Sequence, residues 1–195
     1  MTWRRVGIWT AVAVTVLGLG WVMFEGLARR LAEPTPDAEP APAAPAPAPT
    51  AGPRIAATVY FVSEDGTSLV GVPVDVPLGD TPAAQARALV EAQLATEPPP
   101  GLARAVPAGV TVRGVFLTGR DDAYVDLDNT FMTALPRGSH NELLAAYAIV
   151  SVLTTNLSPV ARVQILIDGR EVETLAGHVD LREPLRKNEA LISAR

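Results

Sequence analysis

The side chains best suited to chemistry in this sequence of 195 residues are closely spaced aspartates. Asp121, Asp122, Asp126 and Asp128 lie close together, and paired carboxylates can transfer protons or bind a hard cation. Asp121 and Asp122 fit a turn, however, and the spacing lacks the glutamate that a calcium loop requires. Asp126 and Asp128 fall on the polar side of a strand whose apolar and polar residues alternate. The pattern therefore favours a solvated strand face.

A further aspartate, Asp168, ends the apolar run VQILI and is followed by Gly169. A carboxylate at the end of a buried strand is a common position for a catalytic acid or a metal ligand. An Asp-Gly pair between two strand-like segments is also a strong hairpin signal, and REVETL (170–175) can form the returning strand. Because the sequence places no histidine, lysine or second carboxylate to act with Asp168, we interpret it as a turn residue.

The sequence contains two histidines. His140 lies in Ser-His-Asn-Glu, the spacing of a capping box in which Ser139 and Glu142 would bond the first amides of a helix. His178 lies in the loop Gly-His-Val-Asp near the C-terminus. Residues 54–195 contain no GxSxG, no HExxH, no Walker loop and no GxGxxG. We therefore predict no catalytic, cofactor-binding or metal-binding residues and no cofactor.

The elements that would position these residues follow from hydrophobic periodicity and turn signals. Thr81 and Pro82 have the types expected of an N-cap and a first helical residue. The predicted order is strand 55–62, strand 68–76, helix 82–94, strand 111–118, strand 122–128, helix 139–155, strand 162–167 and strand 170–175. This order predicts an α+β domain in which two helices cover one face of a mostly antiparallel sheet.

The second predicted helix is unusually apolar. Residues 143–153 read LLAAYAIVSVL, and only Tyr147 and Ser151 carry a polar group. A surface helix has one apolar stripe and an opposite polar face, so this helix must be covered on more than one side. Two interpretations remain open. Either the sheet and the C-terminal segment bury the helix, or it contacts a second copy of the chain or another partner.

The N-terminal segment has the length and composition of a membrane span. Residues 6–24 contain no charge and would extend roughly 28 Å as a helix, close to the thickness of a bilayer core of about 30 Å. A cleaved signal peptide is the alternative, but its apolar region is usually shorter. Arg4 and Arg5 precede the span, and Arg29 and Arg30 follow it. The positive charges on the two sides therefore nearly balance and do not by themselves fix the orientation of the span. The segment that follows favours an inside N-terminus and places the bulk of the chain outside.

That segment, about residues 32–54, is dense in proline and alanine and predicts an extended linker. At about 3.1 Å per residue it could reach roughly 60–70 Å from the membrane. We therefore predict a membrane anchor in residues 1–31, a linker in 32–54, one domain in 55–186 and a polar tail in 187–195. The tail is expected to fray.

Charge and cysteine content exclude several functions. The sequence has no cysteine, so it has no disulfide, no thiol nucleophile, no cysteine-bound zinc and no lipidated cysteine. Residues 54–195 hold 12 basic and 17 acidic side chains, and these account for the net charge of −5. No basic patch is interleaved with aromatic residues, so we expect no nucleic-acid partner.

Taken in order, six segments resemble a known family. They are VYFVSEDGTSLVGVPVDV (59–76), AQARALVEAQL (84–94), AVPAGVTVRGVFL (105–117), AYVDLDNTF (123–131), GSHNELLAAYAIVSVLTTNL (138–157) and VARVQILIDGREVETLAGHVDLREPL (160–185). This set resembles the GerMN domain of GerM-type sporulation and germination proteins. The resemblance implies a fold similar to ring-building motifs of envelope assembly proteins. It also implies a non-catalytic module of secreted, lipid-anchored or membrane-anchored proteins. Some relatives carry two copies or a lipidated cysteine, whereas this chain has one copy and a predicted span.

Together these observations predict a single-pass protein of the cell membrane that presents its domain outside the cell. Its role would be assembly with an envelope protein or with the cell wall, and it could form homo-oligomers through residues 143–153. One alternative is an extracytoplasmic cell-wall or small-ligand enzyme or sensor that uses Asp126, Asp128 or Asp168. A second is a regulatory ectodomain for a signalling partner.

Overall fold

A computed structural model describes residues 52–136 and 138–193. The predicted anchor in residues 1–31, and the predicted linker up to residue 51, lie outside these ranges. Within the two described ranges, no helix combines the length and the apolarity needed to cross a bilayer.

The described residues form an α+β domain, as the sequence predicted. In chain order, the elements are β1 (Arg54–Val62), β2 (Leu69–Pro77), α1 (Pro82–Ala95), β3 (Val112–Leu117), β4 (Asp122–Leu127), α2 (Thr130–Thr133), α3 (Ser139–Asn156), β5 (Arg162–Ile167), β6 (Arg170–Glu171), β7 (Thr174–Leu175), β8 (Val179–Asp180), β9 (Leu185–Arg186) and a 3-10 helix (Glu189–Leu191). Thr81 caps α1 as predicted, because its side chain accepts a hydrogen bond from the N–H of Ala84. The short helix α2 was not predicted.

The strands β1 and β2 form a long antiparallel hairpin, in register from Arg54 opposite Pro77 to Val62 opposite Leu69. Asp65 holds its turn by accepting hydrogen bonds from Ser63 Oγ at 2.5 Å and from Thr67 N at 3.1 Å. These hydrogen bonds, the one from Ser63 first, lower the pKa of Asp65. The hairpin is a two-stranded sheet of its own, and not part of one sheet as predicted.

Side-chain amides satisfy the backbone of β1 at two positions that face away from β2. Gln93 of α1 accepts a hydrogen bond from the backbone N–H of Tyr60 and donates one to its carbonyl, both at 2.7 Å. Asn156 of α3 does the same for Thr58, at 2.8 Å in each case. A primary amide offers a donor and an acceptor, as a peptide group does, so it can satisfy a strand edge. The two helices thus attach directly to the backbone of β1.

The second sheet has the order β3-β4-β5-β6, and β9 also pairs with β5. The pairing is mostly antiparallel as predicted, but β4 and β5 are parallel, from Asp122 opposite Arg162 to Leu127 opposite Ile167. Parallel neighbours require a long crossover, and here α2 and α3 provide it. Gly169 has a φ of 76° and Asp168 a φ of 51°, as a type I′ turn requires, so the predicted hairpin after β5 is confirmed.

The helix α3 lies at the centre of the core and contacts α1, β1, β5, β8 and β9. Every residue from Leu144 to Leu153 is buried except Tyr147, which is half-buried. Cover from within the chain therefore accounts for the apolar run. The proposed contact with a second copy through residues 143–153 is limited to the accessible parts of Leu143 and Tyr147.

The C-terminal segment differs from the prediction in two ways. The expected strand over 170–175 is split, because β7 leaves β6 and pairs with β8 around a turn at Ala176 and Gly177. The tail is structured over the described residues 187–193. It forms a 3-10 helix, and Ser193 then donates a hydrogen bond to the carbonyl of Leu69 at 2.8 Å. The tail is thus attached to the start of β2.

Candidate functional site

Asp126 is a structural acceptor in the second sheet. Only 8% of it is exposed, and it accepts a hydrogen bond from the N–H of Gly169 at 2.7 Å. Arg113 pairs with Asp126 at 3.3 Å and with Asp168 at 3.5 Å. The prediction of a solvated strand face is therefore wrong for Asp126, because the side chain is turned toward the β5–β6 turn. Asp126 and Asp168 lie near each other, with Arg113 between them.

Asp122 and Asp128 also make structural contacts. Asp122 begins β4, which confirms the start of the predicted strand 122–128 and makes the alternative placement of Asp122 in the turn wrong. Arg162 binds it with two hydrogen bonds, at 2.6 and 2.9 Å. Asp128 accepts hydrogen bonds from Thr111 N at 3.0 Å and Thr130 N at 2.9 Å. Partial burial acts to raise the pKa of Asp128, but its hydrogen bonds to Thr111 and Thr130 outweigh this effect and lower the pKa. Only Asp121 occupies the predicted turn, exposed and with a φ of 63°.

Glu142 and His178 form a hydrogen-bonded contact between a buried carboxyl group and an imidazole. Its side chain is only 2% exposed, and its Oε1 lies 2.7 Å from Nδ1 of His178. The backbone N–H of His178 also donates to Glu142, at 3.0 Å. An ionised carboxylate can only accept, so with Glu142 ionised Nδ1 carries the proton in this contact. The contact fixes the tip of the β7–β8 hairpin on the first turn of α3.

The sequence had suggested a different role for Glu142. The helix begins at Ser139 with Gly138 as N-cap, at a φ of 134°, and no side chain caps it. The capping-box prediction is therefore wrong, because the carboxylate of Glu142 turns inward to His178. A hint is present in the sequence, since Glu142 directly precedes an uncharged run that must be buried. Its partner lies 36 positions away, beyond the reach of any local pattern.

A groove with a volume of about 430 Å³ lies between α3, β8 and β9. Leu143, Val179 and Tyr147 line it, and so do the two histidines, His140 and His178. A second groove of about 400 Å³ is also lined by His178, together with residues of α2 and the α2–α3 loop. In the sequence, His140, His178 and the second helix are separate features. The structure brings all three together in the first groove, which we call the α3–β8 groove.

The acidic residue that lines the α3–β8 groove is already paired. Arg182 donates to Asp180 from Nε at 3.0 Å, from Nη2 at 2.6 Å and from its backbone N–H at 3.0 Å. The side-chain hydrogen bond from Arg182 is the main cause that lowers the pKa of Asp180 to about 2. In the described part of the chain, no group of three or more acidic or histidine side chains is arranged to hold a metal ion.

Comparison with known proteins identifies the fold. Residues 58–173 match the Germane family, described as sporulation and spore germination. No curated protein matches the chain. The structure is similar to the tandem GerMN domains of the sporulation protein GerM from Bacillus subtilis, with a TM-score of 0.54 and 20% identity, over 69% of this chain and 46% of that one. The chain thus spans about half of that structure.

Two further solved structures are similar. The first GerMN domain of the same Bacillus subtilis protein aligns with a TM-score of 0.53 and 20% identity, over 68% of this chain and 97% of that one. A candidate lipoprotein from Clostridium perfringens aligns with a TM-score of 0.50 and 18% identity, over 70% of this chain and 89% of that one. At these identities the similarity concerns the fold.

Proposed function

Because this chain belongs to the Germane family of sporulation and spore germination domains, we propose that it is a non-catalytic binding and assembly module of the cell envelope. In this proposal the domain is held outside the membrane by an N-terminal anchor and a proline-rich linker. Its partners are an envelope protein, the cell wall or both.

The use of the acidic residues is the observation that best supports a non-catalytic role. Asp126 binds Gly169 and Arg113, and Asp128 binds two threonines. General acid–base chemistry needs a carboxylate within hydrogen-bonding reach of a substrate. Here the carboxylates of Asp126 and Asp128 already accept hydrogen bonds within the domain. The α3–β8 groove, in contrast, is accessible to a ligand. The arrangement supports recognition more than turnover.

The anchor and linker support a position outside the membrane. Residues 6–24 have the length and apolarity of a span, and the following prolines favour an extended chain. A reach of roughly 60 Å would carry the domain well away from the lipid surface. This distance suits a module that must contact partners within or beyond a wall layer.

Protease accessibility in intact cells tests this proposal. A C-terminal epitope tag on the full chain should be removed by protease added outside the cells, once the wall is made permeable, while a cytoplasmic marker stays intact. The chain should remain in the membrane fraction and release its domain when a protease site is placed in the linker. Protection of the tag in intact cells, or recovery of the full chain in the soluble fraction, would contradict the proposal.

A further inference from the structure

The α3–β8 groove combines apolar walls with groups that both donate and accept hydrogen bonds. Leu143 and Val179 supply aliphatic surface, and Tyr147 supplies an aromatic ring with a hydroxyl group. His140 and His178 supply two imidazoles. Its volume of about 430 Å³ falls within the range of small-molecule sites, about 300–1,000 Å³. Such sites are mostly apolar, with a few placed polar groups that fix the orientation of the ligand.

The contact with Glu142 determines which ring nitrogen of His178 is available to a ligand. Nδ1 lies 2.7 Å from Oε1 of the buried Glu142, which fixes the ring orientation and, with Glu142 ionised, places the proton on Nδ1. Nε2 is then the ring nitrogen that remains for a ligand, on a side chain that is 55% exposed. In the neutral imidazole this nitrogen accepts a hydrogen bond. A hydroxyl group is a suitable donor to it.

The charges around the groove argue against an ionic ligand. Asp180 is already bound by the guanidinium of Arg182, and Glu142 by His178. An ion that enters a partly apolar groove loses hydration, and it needs an opposite charge to compensate. Asp180 already has such a partner in Arg182, and Glu142 is turned into the core, where it is satisfied by its two hydrogen bonds with His178. The groove therefore suits an uncharged ligand that carries several hydroxyl or amide groups.

We propose that the α3–β8 groove binds a neutral, hydroxyl-bearing glycan segment. A sugar ring offers an apolar face, which packs on Tyr147 and Leu143, and hydroxyl groups, which bond His178 and His140. This inference rests on the proposed envelope function, because it names the cell-wall component that the domain contacts. In this inference the glycan contacts the α3–β8 groove and does not contact the β1–β2 sheet or the edge of β3.

The two histidines make the proposal directly measurable. The full chain, in detergent micelles and with carbon-13-labelled histidine, gives imidazole signals from two residues only. His140→Gln assigns them. Added N-acetylglucosamine tetramer should shift both signals in a saturable way, with the larger change at His178. Tyr147→Ala should weaken the apparent affinity at least about tenfold, a loss in line with truncating an aromatic anchor of a binding site.

The control is Phe116→Ala, which removes an aromatic side chain that is 59% exposed on β3, outside the groove. It should leave the affinity unchanged. Tyr147→Phe, which removes only the hydroxyl group, guards against misfolding of the alanine variant and should weaken binding less. Unshifted histidine signals at millimolar tetramer would overturn the inference. So would shifts produced by an uncharged alanine-rich peptide but not by the tetramer.

The glycan inference can fail while the envelope proposal stands. If the tag is exposed outside the cell but the histidine signals do not respond, the glycan inference is rejected and the envelope location is supported. If the tag is protected, the envelope location is rejected whether or not the histidine signals shift.

Discussion

Glu142 shows how one residue can set the shape of a surface from inside the core. Its carboxylate is 2% exposed, yet it determines where His178 and the tip of the β7–β8 hairpin lie. The hairpin tip in turn forms part of the wall of the α3–β8 groove. Changes at Glu142 should therefore be visible both in the stability of the domain and in the groove.

We predict that Glu142→Ala lowers the free energy of unfolding by about 2–4 kcal/mol, because it empties a buried position and removes both hydrogen bonds between Glu142 and His178. Urea unfolding of the full chain, followed by circular dichroism, measures this loss. Glu171→Ala is the matched control, since Glu171 is exposed on β6 and its loss should cost less than about 0.5 kcal/mol. Equal effects of the two variants would show that the buried contact is not needed.

The second prediction concerns the protonation of Asp180. The hydrogen bond from Arg182 lowers the pKa of this carboxyl to about 2. A lowered pKa means that the carboxylate favours the folded state above the ordinary pKa near 4, and that this contribution is lost as the pH falls through about 2. Carbon-detected titration of the full chain should therefore show Asp180 ionised at pH values where ordinary aspartates are protonated.

Arg182→Gln supplies the contrast for that titration, because it keeps a polar side chain and removes the charge. The pKa of Asp180 should rise toward its ordinary value in this variant. A midpoint that does not move would mean that Arg182 is not the cause.

The third prediction separates a structural role of the aspartates from a catalytic one. Asp126→Asn weakens acceptance from Gly169 and Arg113 and should cost about 1–3 kcal/mol. Asp168→Asn should cost less than about 0.5 kcal/mol, because asparagine is well tolerated at positive φ. Urea unfolding measures both. An enzyme that used Asp126 or Asp168 would instead keep its stability and lose turnover of a cell-wall substrate.

At the scale of elements, two amide side chains connect the helices to the β1–β2 hairpin. Asn156→Ala removes the donor and the acceptor that serve Thr58, so we predict a loss of about 2–3 kcal/mol. Hydrogen exchange should accelerate at Thr58 more than at Tyr60, which Gln93 still serves. Asn188→Ala is the control, because Asn188 bonds only an exposed turn amide, that of Ala190. Slow exchange at Thr58 in the Asn156 variant would contradict the prediction.

Local signals predicted most of these elements. Thr81 and Pro82 marked the start of α1, Asp168 and Gly169 marked a hairpin, and alternation marked the strands. These signals work because capping, turn conformation and pleating depend on neighbouring residues. The direction of β5 against β4 depends on how a crossover of about thirty residues folds, so no local pattern encodes it.

The site was harder to predict than the fold, for the same reason. Each component of the α3–β8 groove was visible as an isolated feature, but Glu142 and His178 meet only in three dimensions. Asp126 was wrongly predicted to be exposed. Strand alternation indicates on which side of a sheet a residue lies, but the burial of Asp126 depends on the β5–β6 turn that covers it. Side chains become structural acceptors through contacts that are distant in sequence.

At the scale of the whole molecule, the protein joins a domain of the Germane family to a predicted anchor and a predicted linker. Within the described residues, the C-terminal tail is attached to the start of β2. The domain carries no cysteine and needs no disulfide for its fold. Its accessible groove is the feature through which we expect it to act.

Photo-crosslinking in intact cells tests the central claim, that this domain is an extracytoplasmic binding module, most directly. A photo-reactive amino acid in place of Tyr147 should form an adduct with an envelope protein or cell-wall glycan outside the membrane. The same amino acid in place of the exposed Glu64, in the β1–β2 turn, should form no such adduct. Adducts with cytoplasmic proteins, or the same products from both positions, would contradict the account.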